Sequence, residues 1–427
     1  MAAPRLLLVA STIAPSRVIG GRRADRLAQH FSRAGWQVTV LTVHERYVPP
    51  LDPSLLPPAG VEIIRTHALM PRVLLKSVHG QVSRLRPPSP SVTASGGAGG
   101  SAPTSAGLLR KGLQRALAPF EDPDEFEGWR HFALAAVRKR RFDVVLTTVP
   151  PPSSLALAAD LAARVGGKLV LDYRDPWSEL SAPAQRSRHQ RAEDQVLARA
   201  DLVVGVTPTI CAMLASRTRA PVELVTNGFD APVYAAFGAA ESGPMRLVYA
   251  GSLAYGRDLE PLVRALAALR PQVSAQQLRI EYAGPHGAGL IAQAHRHGVA
   301  DAVTDHGELP AARANGLLRG AMAGVVVVST GFAYAYPGKI FEILGQARPI
   351  LALAPADSDT AQLVTTQGLG WSHAPDDLNG LVRTLRAGLD GALPQPVDIR
   401  SLHADHVFAR YEGLVRGLID DAAKLDG

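Results

Sequence analysis

A chain of 427 residues, 47% hydrophobic, is too long for one ordinary core and suits two domains. Its formal charge of +7 is mild over that length and largely scattered, which permits an anionic ligand or a membrane surface and gives no reason to expect nucleic acid. The single cysteine, Cys211, excludes an internal disulfide and a cysteine-based zinc site; with no apolar run of transmembrane length, a cytoplasmic location is expected.

The opening MAAPRLLLVASTIAPS holds an apolar run too short for a signal peptide and reads as a strand over residues 5–11. Ala24, Leu27, Ala28 and Phe31 then follow the i, i+3, i+4, i+7 rule, and Gly35 closes the helix they define. A strand at 36–43 completes a βαβ unit, and hence a parallel sheet. Further strands are expected at 61–67, 143–149, 168–174, 202–207 and 222–227. Residues 87–107 are low-complexity Pro/Gly/Ser and read as a disordered insertion. Its flanks, 71–86 and 108–120, mix leucine and valine with arginine and lysine. They read either as basic amphipathic helices for an anionic membrane or as an ordinary surface helix pair.

The second half repeats the pattern, with strands expected at 246–251, 278–284, 302–307, 324–329, 349–354 and 370–373. Residues 237–245 are small, polar and rich in breakers, so the break is expected there. This gives two doubly wound α/β domains, 1–240 and 241–400. From about residue 401 an amphipathic helix follows, with Val407, Tyr411, Leu414 and Leu418 on one stripe.

Ligands of open parallel sheets bind beyond the carboxyl ends of the strands, so the chemistry is sought there. After the first strand, Gly20 and Gly21 precede a helix and allow close approach of a ligand to the backbone. The stretch is not G-x-G-x-x-G and lacks the spaced acid of a dinucleotide fold, which disfavours NAD. After the fourth comes PPPSS at 150–154, a rigid turn into a helix. After the fifth, DYRDPWSE at 172–179 crowds two acids, an arginine and a tryptophan, either as salt-bridged scaffolding or as a site.

In the second half YAGSLAYGRDLEPL follows a strand: Gly251 and Gly256 free the backbone, and Arg257 precedes a helix capped by Asp258. A guanidinium there suits a diphosphate, which it can grip with two parallel hydrogen bonds; the alternative is a surface arginine. YAGPHG and HGELP, with Glu308, follow the next two strands. YPGKIFEILGQARPILAL then reads as a tight loop with Gly338, a short helix over about 339–347 and a buried strand. Lys339, in the first helical turn, has the wrong sign for the helix dipole unless an anion shares the spot. Glu342 shares its face, so the two form an intrahelical pair or offer a cation for phosphate and a carboxylate for sugar hydroxyls. Four strand exits thus carry groups suited to a nucleotide diphosphate and a sugar. Asp357 to Asp359 imitate a metal-binding D-x-D but follow an unrelated strand, so no metal is expected.

GG after the first strand, VTNGFD at 225–230, YAGSL, GELP and PGKIFEILGQARPILALAP stand in the order found in family 4 retaining glycosyltransferases of the GT-B fold, which this sequence resembles over nearly its whole length. Pro151 to Ser154 and Asp172 to Trp177 are similar to a bacterial branch with P-P-x-S-S and D-x-R-D-P-W. The resemblance implies an α/β GT-B architecture, two doubly wound Rossmann-like domains facing across a cleft, with the helix at 401–427 packing back on the first domain.

It further implies roles for single residues. Arg257 stands where the family keeps a basic residue on the donor diphosphate, and Ser252 where many members carry a second, which Lys339 after Gly338 helps to replace. Glu342 matches the second glutamate of E-x7-E, on the ribose hydroxyls, while the first falls at Tyr334. Glu308 of GELP joins the donor-binding set. Gly20 and Gly21 match a loop facing donor phosphate and acceptor, and Arg174 and Asp175 fall where other branches place a histidine and an acid near the reacting sugar. The implied activity is hexosyl transfer from a nucleotide-diphosphate sugar, as co-substrate and without a metal cofactor. The acceptor hydroxyl would belong to a lipid-linked sugar of envelope polysaccharide assembly, met at the inner membrane face, or to a small soluble metabolite. Ser252 and Tyr334 motivate an alternative, a non-catalytic partner subunit on the same fold; another GT-B enzyme, such as a nucleotide-sugar epimerase, is a further one.

Overall fold

The structure is a computed structural model that describes residues 3–18, 20–70, 122–230, 237, 243–392, 394 and 399–425. The chain divides into two compact units, one of Met1–Val204, Met213–Glu223 and Glu412–Gly427, the other of Gly205–Ala212 and Leu224–Tyr411.

The first unit is built on a seven-stranded sheet of β1 (Arg5–Val9), β2 (Gln37–Val43), β3 (Glu62–Thr66), β4 (Val144–Val149), β5 (Lys168–Tyr173), β6 (Leu202–Gly205) and β7 (Val222–Leu224), in the order β3-β2-β1-β4-β5-β6-β7. β1 pairs in parallel with β2 and β4, and β4 with β5. Leu6 to Val9 are wholly buried, as a strand covered on both faces must be. The helix Gly21–Arg33 buries Ala24, Leu27, Ala28 and Phe31, the stripe its spacing defines. The helix Ser153–Val165 ends on Gly166 in the left-handed region, which lacks a Cβ penalty only for glycine.

The second unit holds a six-stranded sheet of β8 (Met245–Ala250), β9 (Leu278–Ala283), β10 (Val303–Asp305), β11 (Ala323–Val327), β12 (Ile350–Leu353) and β13 (Gly370–His373), in the order β10-β9-β8-β11-β12-β13. Alternation along its strands separates two cores. Leu247, Tyr249, Ile280, Tyr282, Val325 and Leu351 pack on one face with the helix Glu260–Leu269. Val248, Val326, Val328, Ile350 and Ala352 pack on the other with the helices Lys339–Leu344 and Asp359–Thr366. A parallel sheet with helices on both faces is the doubly wound arrangement. Each unit is therefore the α/β domain that the strand pattern predicts.

The divisions expected at 240 and 400 differ from the contacts. The VTNGFD stretch belongs to the second unit, because Phe229 donates to Leu402 O (3.0 Å) and Ala404 donates back to Phe229 O (3.0 Å). Composition marks the breaker-rich run after it, whereas backbone pairing decides where it packs. The chain changes unit again inside the helix Ala404–Leu425: Trp36 Nε1 donates to Glu412 at 2.7 Å and lies 5.3 Å from the Arg416 guanidinium, all within the first unit. The helix expected over 339–347 stops at Leu344, with Ala347 in the left-handed region at φ 53°. The insertion at 87–107 and its basic flanks lie outside the described residues. Among the described residues no helix is long and apolar enough to cross a membrane.

Candidate active site

In the second unit the exits of β8 to β11 and the start of the helix Lys339–Leu344 share one edge. The path of the chain after β8 is set by Gly251, whose φ of 146° is open to glycine and strained for any other residue. A Cβ there would also collide with Cε and Nζ of Lys339, so the lysine tail runs directly over Gly251. Its ammonium stands 5.9 Å from the Tyr249 ring centre. Tyr249 is held by stacking on Tyr282, with 6.0 Å between ring centres, and by donating to Ser252 O at 2.9 Å.

Burial lowers the pKa of Lys339, Glu342 opposes the shift, and the positive charge of Arg257 adds to it. Among the described residues neither Lys339 nor Arg257 makes an ion pair, and Glu342 is exposed without a hydrogen bond. The intrahelical Lys339–Glu342 bridge allowed by the spacing is thus not formed. Arg257 reaches the Tyr255 ring, 6.0 Å from its centre. Half-buried cations that make no ion pair among the described residues have the charge an anion would match.

The remaining second-unit candidates divide. Ser252 Oγ accepts from the Ala254 amide at 3.1 Å and brings no charge. Glu308 is exposed, and its charge, with burial as the largest cause, contributes to a Tyr282 pKa pushed up to about 12. Gly338 caps the helix and has no atom within 4 Å of where a Cβ would stand, so the protein leaves open space there. Tyr334 is buried at 8% exposure beside Phe332, and its carbonyl accepts from Thr207 Oγ1 at 2.8 Å. A cavity of about 350 Å³ at the same edge is lined by Gly256, Asp258, Arg264, Ser329, Thr330 and Pro375. The N-cap of the helix Glu260–Leu269 is Leu259 and not Asp258, although Asp258, one residue earlier, accepts from the Glu260 amide at 2.9 Å. Asp359 is buried and accepts from the Thr209 amide (3.1 Å) and hydroxyl (2.8 Å). Among the described residues no group of three or more His, Cys, Asp or Glu side chains is arranged to hold a metal ion.

In the first unit the β1, β4 and β5 exits are joined by charged side chains. The Arg23 guanidinium meets Asp172 through two parallel bonds of 2.8 Å, with side-chain exposures of 2% and 0%. Arg174 donates Nη1 to Gly20 O (2.6 Å), Nε to Val149 O (3.3 Å) and Nη2 to Pro150 O. A Cβ at Gly21 would stand 2.9 Å from Thr12 O, and one at Gly20 would stand 3.1 Å from Arg174 Nη1. Burial raises the pKa of Asp175 against the pull of Arg174, and among the described residues its carboxyl has no hydrogen-bond partner. Asp25 accepts from the Ala14 amide (3.0 Å), and burial pushes its pKa up to about 6. Ser153 of the PPPSS turn binds Asp124 through both amide and hydroxyl, at 2.7 Å each.

Sequence reasoning passed over Tyr249, Arg23 and Asp25. Tyr249 reads as one more apolar strand residue. The two charged residues sit in a polar run, GRRADR, where nothing marks which side chain turns inward.

The fold is that of GT-B glycosyltransferases. The chain matches sucrose-phosphate synthase from Thermosynechococcus elongatus with a TM-score of 0.55 and 16% identity, covering 99% of this chain and 98% of that one. It matches the lipopolysaccharide outer core galactosyltransferase WaaB, apo form, with 0.60 and 11%, covering 97% and 99%. It matches Anabaena HepE in complex with UDP with 0.55 and 14%, covering 99% of each. Residues 20–228 match the family described as a glycosyl transferase 4-like domain. No curated protein matches the chain. The domain match and these neighbours together support a glycosyltransferase.

Proposed function

We propose that the protein is a retaining glycosyltransferase that moves a hexosyl group from a nucleoside-diphosphate donor to an acceptor hydroxyl. The observation that carries this reading is Lys339, a half-buried cation without an ion pair among the described residues, laid over the Gly251 turn at the β8 exit on the same sheet edge as Arg257. The diphosphate binds these cations, and the exposed Glu342 carboxylate accepts from the ribose hydroxyls. In the transfer, the bond from the anomeric carbon to the diphosphate oxygen breaks. The acceptor hydroxyl bonds to that carbon on the same face, and its proton passes to the departing oxygen. Lys339 and Arg257 stabilise the charge that gathers on the leaving group, where fixed cations lower a barrier most. Asp175, partly buried and without a hydrogen-bond partner among the described residues, receives the acceptor together with Gly20 and Gly21.

UDP is the first nucleotide to test, since the Anabaena neighbour holds it. The reading extends to a lipid-linked acceptor of envelope assembly; one neighbour, WaaB, is named as a lipopolysaccharide outer core galactosyltransferase. A second reading, a non-catalytic subunit, draws on Tyr334 and Ser252, which place a buried phenol and a neutral hydroxyl where the resembling family has charges. Incubation with a panel of UDP- and GDP-hexoses separates the two. Nucleoside diphosphate release with retained anomeric configuration in the product is expected. Release from no donor would favour the non-catalytic subunit.

A further inference from the structure

We propose that Arg174, aided by the Arg23–Asp172 pair, is a positioning clamp that fixes the Gly20–Gly21 turn against the exits of β4 and β5, leaving Asp175 as the reactive-side group of that loop. This deepens the transferase reading and rests on it for its kinetic arm.

The guanidinium of Arg174 is already committed. Its three nitrogens donate to the carbonyls of Gly20, Val149 and Pro150, which belong to two separate loops besides its own. A planar fork with five N–H donors can span three carbonyls that diverge in this way; an ammonium, a single point with three donors, cannot. The side chain is half-buried, and burial is the largest cause of its lowered pKa. Those carbonyls stand at the ends of β1's loop and of β4, so one side chain sets the spacing of both exits.

The Arg23–Asp172 fork repeats the tie inside the first turn of the helix, joining Gly21–Arg33 to the end of β5. Replacing a buried ion pair by well-packed apolar residues is often neutral for stability, so its use here supplies direction rather than strength. Gly20 and Gly21 fit the same scheme. Each is packed so that a Cβ would press on the clamp or on the Thr12 carbonyl. Of the charged residues from Asp172 to Asp175, two are occupied in holding loops. Only Asp175 lacks a hydrogen bond among the described residues.

The test is Arg174→Lys, which keeps the charge and removes the fork. Hydrogen exchange reads the clamp without substrate. The amides of Ala14, Gly21 and Ser154 are expected to exchange faster together, while those inside β1 and β4 keep their rates. In turnover, kcat is expected to fall about tenfold or more while nucleoside diphosphate affinity stays within about twofold, because a small misplacement at a reacting site costs rate rather than remote binding. Gly20→Ala, which only crowds Nη1, should give a smaller change of the same kind. Unchanged exchange at all three amides, or wild-type kcat in Arg174→Lys, would overturn the clamp. A wild-type protein that turns over no donor would instead defeat the transferase reading, and the exchange result would still decide the clamp.

Discussion

The tail of Lys339 lies across Gly251, in the space that any side chain at that position would take. The glycine is therefore needed twice, for its φ of 146° and for the room it leaves. Gly251→Ala should cost about 1–3 kcal/mol of stability from backbone strain and also push the ammonium off the site. Chemical denaturation and UDP titration on one preparation check both effects. A stable variant that binds nucleotide like the wild type would contradict this geometry.

Because burial holds the Lys339 pKa below its ordinary 10.5, the free protein loses that charge earlier on the alkaline side than an exposed lysine would. A bound diphosphate stabilises the ammonium and raises its pKa, so binding takes up protons. Affinity should be fullest below the free-protein value and fall as pH rises through it. Titrations upward from neutral pH should show this loss setting in earlier than the titration of an exposed lysine would bring it. The loss should be absent in Lys339→Met.

Glu342 is exposed and makes no hydrogen bond among the described residues, so its removal should leave the fold alone. Glu342→Ala is expected to change stability by no more than about 0.5 kcal/mol, as surface substitutions do. It should weaken nucleoside diphosphate binding by about tenfold through the lost charge-assisted ribose contact. Comparison of ribose with 2′,3′-dideoxyribose nucleotides tests the assignment directly: the wild type should discriminate and the variant should not.

Asp25 accepts from the Ala14 amide and carries a pKa raised from 3.8 to about 6 by burial. The folded chain holds the extra proton between those values, so the stability tied to it is present at low pH and lost as pH rises through about 6. Asn at this position still accepts from Ala14 and never ionises. Asp25→Asn should therefore gain about 1–3 kcal/mol at pH 7, a gain that disappears below the ordinary carboxylate range. Urea unfolding at both pH values measures it, and no gain at neutral pH would refute the assignment.

All thirteen strands of the described residues were legible in the sequence: central ones such as β1, β4 and β12 are buried on both faces and write themselves as short apolar runs, and edge strands such as β3 and β13 stand out by the breakers around them. The helix stripe through Ala24, Leu27, Ala28 and Phe31 was equally plain. Lys339 stood out by sign, being a cation in a first helical turn, and Gly251 by type. What the sequence could not reveal was pairing at a distance. Arg23 and Asp172 lie 149 residues apart, and no local rule links them. Arg174 looked like a reactive group for the same reason: its three carbonyl partners come from backbone, which any sequence supplies. The unit boundary moved because Phe229 pairs with residues near 402, a contact that composition around 240 does not encode.

The most direct test of the Lys339–Arg257 site is calorimetric titration of the full chain with UDP, GDP and ADP, with Lys339→Ala as the comparison. The account predicts that one nucleotide binds the wild-type protein and binds Lys339→Ala about tenfold or more weakly, a loss of at least about 1.4 kcal/mol. Binding of none of them, or equal binding by both proteins, would contradict it.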